Sequence, residues 1–76
     1  MELYRNLDGN SNIQAFELGY GSITVRFNDG GLYTYTNASA GVTHIQQMQQ
    51  LAIDGRGLNG YINRYTKFKY ASKRRI

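Results

Sequence analysis

The sequence contains no cysteine and a single histidine, His44. Without cysteine the chain can form neither a disulfide framework nor a thiolate zinc site. The lack of cysteine also fits a reducing compartment, so we expect a cytoplasmic protein. One histidine among scattered carboxylates does not supply the ligand set of a structural metal, and we therefore expect no metal and no cofactor.

Long apolar runs are missing as well. No stretch approaches the roughly 20 apolar residues that cross a bilayer, and the first five residues lack the basic patch and apolar core of a signal peptide. A chain of 76 residues is expected to form one domain without a membrane partner. Such a domain buries only about 60% of its unfolded surface, so self-association into a homo-oligomer would add stability.

Residues suited to catalysis are sparse. His44 lies on the polar side of a predicted helix, and there is no cysteine nucleophile. No two carboxylates stand at the helical spacing that acid–base catalysis would use. The aspartates Asp8, Asp29 and Asp54 lie at predicted turns or helix ends, where their structural use is common. We expect a protein that is not an enzyme.

Acidic residues are absent from residues 55–76. That segment holds seven of the nine cations, whereas residues 1–54 hold two cations and all five acids, which gives net charges near +7 and −3. Aromatic rings stand between the cations of the basic segment. Cations attract phosphates and rings stack on unpaired bases, so the pattern predicts binding of RNA or other single-stranded nucleic acid.

The candidate contact residues follow from this pattern. Those expected to bind phosphate or sugar are Arg56, Asn59, Arg64, Lys67, Lys69, Lys73, Arg74 and Arg75. The rings expected to stack on bases are Phe68 and Tyr70. Basic surfaces also dock on acidic proteins, so the alternative is an adaptor or inhibitor, for example phage-encoded, that binds an acidic host protein.

Residues 55–60 form a glycine-rich segment between two predicted helices. Glycine lets a backbone approach a phosphate, the amides at a helix start favour an anion, and Arg56 would add a charged fork. The same glycines also suit a helix C-cap and a turn. No Walker-type lysine and serine follow, which excludes a nucleotide-hydrolysing loop. A turn and a site for a small phosphorylated ligand both stay open.

Alternating apolar residues predict a β-hairpin over residues 22–36. A two-residue turn and a three-residue loop with Gly30 in the left-handed region give different registers. The three-residue loop places Val25 opposite Tyr33 and gathers the apolar side chains on one face. A slip by one residue would turn every side chain to the other face, so we expect this register.

The hairpin register also decides the role of Tyr33 and Tyr35. On the apolar face they fill the core beneath the helices, each hydroxyl reaching an edge partner. The other interpretation is a stacking platform of the kind that RNA-recognition sheets present. The register favours the core.

Other elements flank the hairpin. Residues 12–18 predict a strand whose mixed phase indicates a bulge or burial on both faces. An apolar stripe predicts a long helix, capped by Asn37 or Ser39 and stopped at Gly55. A shorter helix is expected over residues 58–65, with Tyr61 and Tyr65 packed inward.

These elements predict an α+β domain: a three-stranded antiparallel meander packed against one long and one short C-terminal helix. Residues 11–70 form the domain, residues 1–10 an N-terminal extension or an extra edge strand, and residues 71–76 a basic tail.

The order of several short motifs resembles that of KTSC domains. The motifs are Ser11-Asn12-Ile13, Phe27-Asn28-Asp29-Gly30, Tyr33-Thr34-Tyr35, a helix ending at Gly55, and Asn59-Gly60-Tyr61-Ile62. That family is named for the C-terminus of some lysyl-tRNA synthetases and also occurs as small bacterial and phage proteins. The sequence departs from the family pattern at Leu58, where an aromatic is usual, and at Asn63, where an arginine is usual. The resemblance covers roughly residues 11–70 and implies a small α+β fold, with RNA binding suggested by the synthetase context.

Overall fold

The computed structural model describes residues 1–75. One antiparallel sheet of five strands forms its frame, in the spatial order β1-β2-β3-β4-β5. The strands are β1 (Glu2–Leu3), β2 (Ile13–Gly19), β3 (Ser22–Phe27), β4 (Gly31–Thr36) and β5 (Ser72–Arg75). The helical elements are α1 (Asn37–Ala40), α2 (Val42–Asp54), α3 (Leu58–Tyr61) and a π-helical turn (Ile62–Thr66). The predicted α+β class is confirmed.

The sheet has two strands more than the predicted meander. β1 is the edge strand that was one alternative for residues 1–10, and it pairs with β2. β5 takes up residues 72–75 of the segment predicted as a basic tail, and it pairs with β4, where Lys73 lies opposite Tyr33. The sequence allows a short strand followed by a basic tail within residues 67–76, but it does not place β5, because the four residues of β5 are exposed and polar and no apolar alternation marks them.

The expected register of the β3–β4 hairpin is confirmed. Val25 lies opposite Tyr33 and Ile23 opposite Tyr35. Gly30 turns the chain at φ 92°, and its amide donates to the carbonyl of Phe27 at 3.0 Å. Glycine suits this position because side chains with a Cβ rarely adopt such a φ.

β2 contains the predicted bulge. Ile13 lies opposite Phe27 while Ala15 lies opposite Arg26, so Gln14 has no partner in the register. The extra residue lets Ile13 and Phe16 reach the same buried cluster although their sequence separation is odd.

The helical region begins one residue before the predicted caps. Thr36 caps α1: its Oγ1 accepts from the amide of Ser39 at 3.1 Å, and Ser39 Oγ accepts from the amide of Thr36 at 3.0 Å. The long helix α2 has Gly41 as its N-cap and no side-chain cap, so the predicted capping of this helix by Asn37 or Ser39 is wrong. Ser39 instead completes the capping box of α1. α2 ends as predicted at Gly55, whose φ is 79°.

The inward position predicted for Tyr65 is wrong, since this side chain is 46% exposed. The cause is the π-helical turn, which bonds i to i+5 and so holds an additional residue. Thr66 instead follows Ile62 into the core, is fully buried, and donates through Oγ1 to the sulfur of Met48 at 3.5 Å.

The core lies between one sheet face and the helices. Its most buried large side chains are Phe16, Ile23, Val25, Tyr35, Ile45, Met48 and Leu58. The core position predicted for Tyr35 is confirmed, whereas Tyr33 is half-buried and packs against the cluster. Within residues 1–75, every helix is too short or too polar to cross a membrane.

Candidate functional site

A half-open cleft of about 460 Å³ lies where the β3–β4 loop faces α3 and the π-helical turn. The segment between that turn and β5 closes its side. The cleft is lined by Asn12, Phe27, Asn28, Asp29, Tyr33, Tyr35, Asn59, Ile62, Asn63, Lys67, Phe68, Tyr70 and Lys73. Most of the short motifs named above, which are far apart in sequence, contribute residues to this one space.

Aromatic rings form one wall of the cleft. Tyr33 meets Tyr70 edge to face, with ring centroids 5.2 Å apart, and meets Phe27 in the same way at 5.3 Å. Tyr35 lies nearly parallel to Tyr33 at 6.5 Å. Edge-to-face and offset arrangements are those that aromatic quadrupoles favour, so the rings support one another in a fixed wall.

The hydroxyl of Tyr35 belongs to this wall. Burial is the main reason why the pKa of Tyr35 lies well above its usual value, and the neighbouring Tyr33 and Tyr70 raise it further. The hydroxyl therefore keeps its proton throughout the physiological range and can donate a hydrogen bond.

Four asparagine side chains surround the aromatic wall. Asn12 and Asn28 come from the sheet side, where the amide of Asn28 donates to the carbonyl of Asn12 at 2.7 Å. Asn59 and Asn63 come from the helical side and stand four residues apart on α3 and the π-helical turn. Each carboxamide offers one acceptor and two donor hydrogens to a molecule in the cleft.

Two lysines and an exposed ring complete the cleft. Lys67 Nζ lies 5.5 Å from the ring centroid of Phe68, and Lys73 Nζ lies 5.5 Å from that of Tyr70. Phe68 is 80% exposed, which is unusual for a large apolar side chain. The cleft thus places a positive charge beside each of two aromatic rings.

One carboxylate, that of Asp29, also lines the cleft. Its Oδ1 accepts from the amide of Gly31 at 2.9 Å, and its Oδ2 lies 3.9 Å from a guanidinium nitrogen of Arg75. The same guanidinium donates to the carbonyl of Asp29 at 3.1 Å. Both charged groups are highly exposed, so the ion pair is weak, but it joins the β3–β4 loop to β5.

The structure brings part of the predicted contact set together. Seven of the named residues line the cleft: Tyr33, Tyr35, Asn59, Lys67, Phe68, Tyr70 and Lys73. The others lie outside its lining: Arg56, Arg64, Lys69, Arg74 and Arg75. Arg74 lies opposite Leu32 in the register, one position from Lys73, so it points to the other sheet face.

The glycine-rich segment uses its groups within the fold. The amide of Leu58, at the start of α3, donates to the hydroxyl of Tyr4 at 3.3 Å in a buried position. A Cβ on Gly55 would lie 2.9 Å from the Cβ of Arg5, so the backbone approaches this neighbour closely. The amide of Leu58 is therefore not free to bind the small phosphorylated ligand considered for this segment.

His44 is less exposed than the sequence indicates. Its Nδ1 lies 2.6 Å from the hydroxyl of Tyr61, and its ring stacks on that of Tyr65 with centroids 5.8 Å apart. Burial and the nearby Tyr65 raise the pKa of Tyr61. Within residues 1–75, no three histidine or acidic side chains gather as a metal site would require.

Asn12, Asn28 and Asn63 line the cleft but are not among the contact residues predicted from the sequence. An isolated asparagine in a loop is commonly a turn residue, so composition gives no reason to choose these three. The available signal was the motif order, because Asn12 and Asn28 stand within the motifs that carry the KTSC resemblance.

Comparisons with known proteins returned nothing for this chain: no family model, no curated protein and no solved structure matches it. The KTSC resemblance therefore stays a prediction from the order of its motifs.

Proposed function

We propose that this domain is a non-catalytic module that binds single-stranded nucleic acid, RNA above all, at the cleft. The observation that supports this most directly is the shared position of rings, amides and cations. Phe68 and Tyr70 line the same space as Lys67 and Lys73. Stacking on rings combined with backbone neutralisation by cations is the way in which proteins hold single strands.

The charge distribution extends the proposed contact beyond the cleft. Lys69 is exposed between Phe68 and Tyr70, and Arg74 and Arg75 follow Lys73 along the exposed edge strand β5. A nucleic-acid strand that leaves the cleft along β5 would pass further cations. Phosphate contacts of this kind attract any sequence, so we expect affinity with little sequence preference from this part of the surface.

A salt titration with labelled single-stranded RNA tests the proposal. Each phosphate contact on a single strand contributes about −0.7 to the slope of log affinity against log salt. Contacts by Lys67, Lys69, Lys73 and Arg75 would give a slope of about −3. Fluorescence anisotropy with nuclease-treated protein at several salt concentrations measures this slope.

Two charge variants locate the contact. Lys67→Gln combined with Lys73→Gln should weaken binding and bring the slope about 1.4 closer to zero, because two contacts are lost. Arg56→Gln removes one positive charge rather than two, at a residue that does not line the cleft. This variant should leave the salt slope nearly unchanged.

Two results would overturn the proposal. A salt slope near zero would show that the cations do not contact phosphates. No binding at low salt would direct attention to the alternative, in which the exposed basic strand β5 docks on an acidic protein, and nuclease-resistant capture of such a protein would then support the alternative.

A further inference from the structure

The most informative groups in the cleft are polar groups that the fold leaves unused. Tyr35 is only 1% exposed, yet it lines the cleft, and its hydroxyl makes no hydrogen bond to any group within residues 1–75. Within residues 1–75, Arg26 Nε is the one fully buried side-chain polar atom without a partner, so the unpaired hydroxyl of Tyr35 is open to the cleft. A molecule bound in the cleft can therefore form a hydrogen bond with it.

The four asparagines of the cleft also have free side chains, and of these Asn12, Asn28 and Asn63 are exposed while Asn59 is half-buried. Among the hydrogen bonds within residues 1–75, none involves the side chain of Asn12, Asn28, Asn59 or Asn63, whereas Asn6 uses its Oδ1 to accept from Ser11. Carboxamides carry donors and an acceptor side by side, as the hydrogen-bonding edge of a nucleobase does. The cleft thus presents a complementary set of neutral donors and acceptors.

The distribution of charge indicates how a ligand would lie. The carboxylate of Asp29 lies in the lining together with neutral amides and hydroxyls, which disfavours an anion in that part of the cleft. The cations Lys67 and Lys73 lie beside the rings of Phe68 and Tyr70. A ligand with a flat neutral part and a neighbouring negative charge fits both regions, and a nucleotide unit has this form.

We propose that the cleft holds one unpaired nucleobase of the bound strand. The base stacks on Phe68, its polar edge meets the asparagine amides and the hydroxyl of Tyr35, and the flanking phosphates lie at Lys67 and Lys73. This inference rests on the proposed function and adds to it that part of the affinity comes from a base rather than from the sugar–phosphate backbone.

Two ligands of equal length and charge separate these contributions. One is a short single-stranded RNA, and the other is the same ribose–phosphate chain without bases. One stacked base contributes about 5- to 150-fold in affinity, so the RNA should bind more tightly than the abasic chain by a factor in this range. The salt slopes of the two ligands should be the same, because both carry the same phosphates.

Three single-residue variants connect this difference to the cleft. Tyr35→Phe removes one hydroxyl and Asn63→Ala removes one amide, and each should weaken binding of the RNA several-fold while leaving the abasic chain unaffected. Phe68→Ala should remove most of the difference between the two ligands. Tyr20→Phe is the matched control for Tyr35→Phe, because Tyr20 is fully exposed and does not line the cleft.

A second measurement avoids dependence on the variants. In NMR titrations of the unmodified protein with uncharged nucleosides, the side-chain amide signals of Asn59 and Asn63 should shift, whereas those of Asn37 should not.

The outcomes distinguish this inference from the proposed function. Equal affinity for RNA and the abasic chain, with the salt slope retained, would overturn the base site and leave nucleic-acid binding intact. Salt-independent binding, or no binding of either ligand, would overturn both. A tighter RNA complex whose advantage survives in Tyr35→Phe, Asn63→Ala and Phe68→Ala alike would place the base elsewhere and overturn the inference.

Discussion

The hydroxyl of Tyr4 accepts a hydrogen bond from the backbone amide of Leu58 at 3.3 Å, although 54 positions separate the two residues in the chain. Tyr4 is 6% exposed and Leu58 is fully buried, so water does not readily replace this bond. The contact joins the segment after β1 to the first residue of α3, which carries Asn59 of the cleft. The N-terminal segment is therefore part of the support for the site.

Tyr4→Phe should lower the free energy of unfolding by about 1–3 kcal/mol, because the buried amide of Leu58 loses its partner. Urea unfolding followed by circular dichroism measures the change. Tyr20→Phe removes the same atom from a fully exposed ring and should change stability by less than about 0.5 kcal/mol. Equal stability of the two variants would show that the bond to Leu58 contributes nothing.

α2 contains two isoleucines whose side chains differ in burial, so the effect of the same substitution can be compared at both positions. Ile45 is 1% exposed and Ile53 is 48% exposed. Ile45→Val removes a methylene from the core and should cost about 0.5–1.5 kcal/mol, whereas Ile53→Val should cost less than about 0.5 kcal/mol. Denaturant unfolding of both variants checks the difference, and an equal loss would contradict the assigned faces of α2.

Two glycines should respond to alanine in opposite directions. Gly55 has a φ of 79°, and a Cβ there would lie 2.9 Å from the Cβ of Arg5, so Gly55→Ala should destabilise the fold by at least about 1 kcal/mol. Gly60 lies inside α3 with no atom within 4 Å of an added Cβ. Gly60→Ala should therefore stabilise the fold by about 0.5–1 kcal/mol, through the lower backbone entropy of the unfolded chain.

Thermal unfolding of the two glycine variants gives the sign of each effect. A stabilising Gly55→Ala would mean that the C-cap of α2 does not require the left-handed conformation.

The raised pKa of Tyr35 makes stability depend on pH in the alkaline range. In the unfolded chain this tyrosine ionises near pH 10, whereas burial keeps the folded form protonated to higher pH. Above about pH 10 the unfolded state then binds fewer protons than the folded state. The contribution of Tyr35 to the free energy of unfolding is therefore fully present below about pH 10, and it is lost as the pH rises towards the folded pKa. The loss approaches about 1.4 kcal/mol per pH unit.

Urea unfolding at a series of pH values up to about 11 measures this slope. Tyr35→Phe should flatten it relative to the unmodified protein, while Tyr20→Phe, at a fully exposed ring, should not. The same slope in all three proteins would mean that Tyr35 ionises as easily in the folded state as in the unfolded chain.

The β3–β4 hairpin and strand β5 show which parts of the fold could be predicted from the sequence. The register of β3 and β4 could be predicted because a shift by one residue would move Val25 and Tyr33 to opposite faces, and a mixed face is unfavourable. The position and the partner of β5 could not be predicted, since its residues are exposed and its pairing with β4 joins positions about 40 apart. Local pattern carries no information on such a pairing.

The phase of the last helical segment shows a similar limit. The spacing of Leu58, Ile62 and Tyr65 fits a regular α-helix, and the prediction of Tyr65 as an inward residue followed from that spacing. The π-helical turn shifts the phase by one residue, and Thr66 occupies the buried position beside Met48. The side chains of α2 pack against this turn in its shifted phase. This packing cannot be read from the spacing of apolar residues in α2 or in the turn.

The sequence by itself determined the charge asymmetry, the α+β class, the hairpin register and the helix stop at Gly55, because each depends on composition or on neighbours a few residues apart. The tertiary structure alone decided that four distant asparagines and three tyrosines meet at one cleft, and that the basic segment divides between this cleft and strand β5. Those features depend on long-range packing, which sets distances that no local spacing encodes.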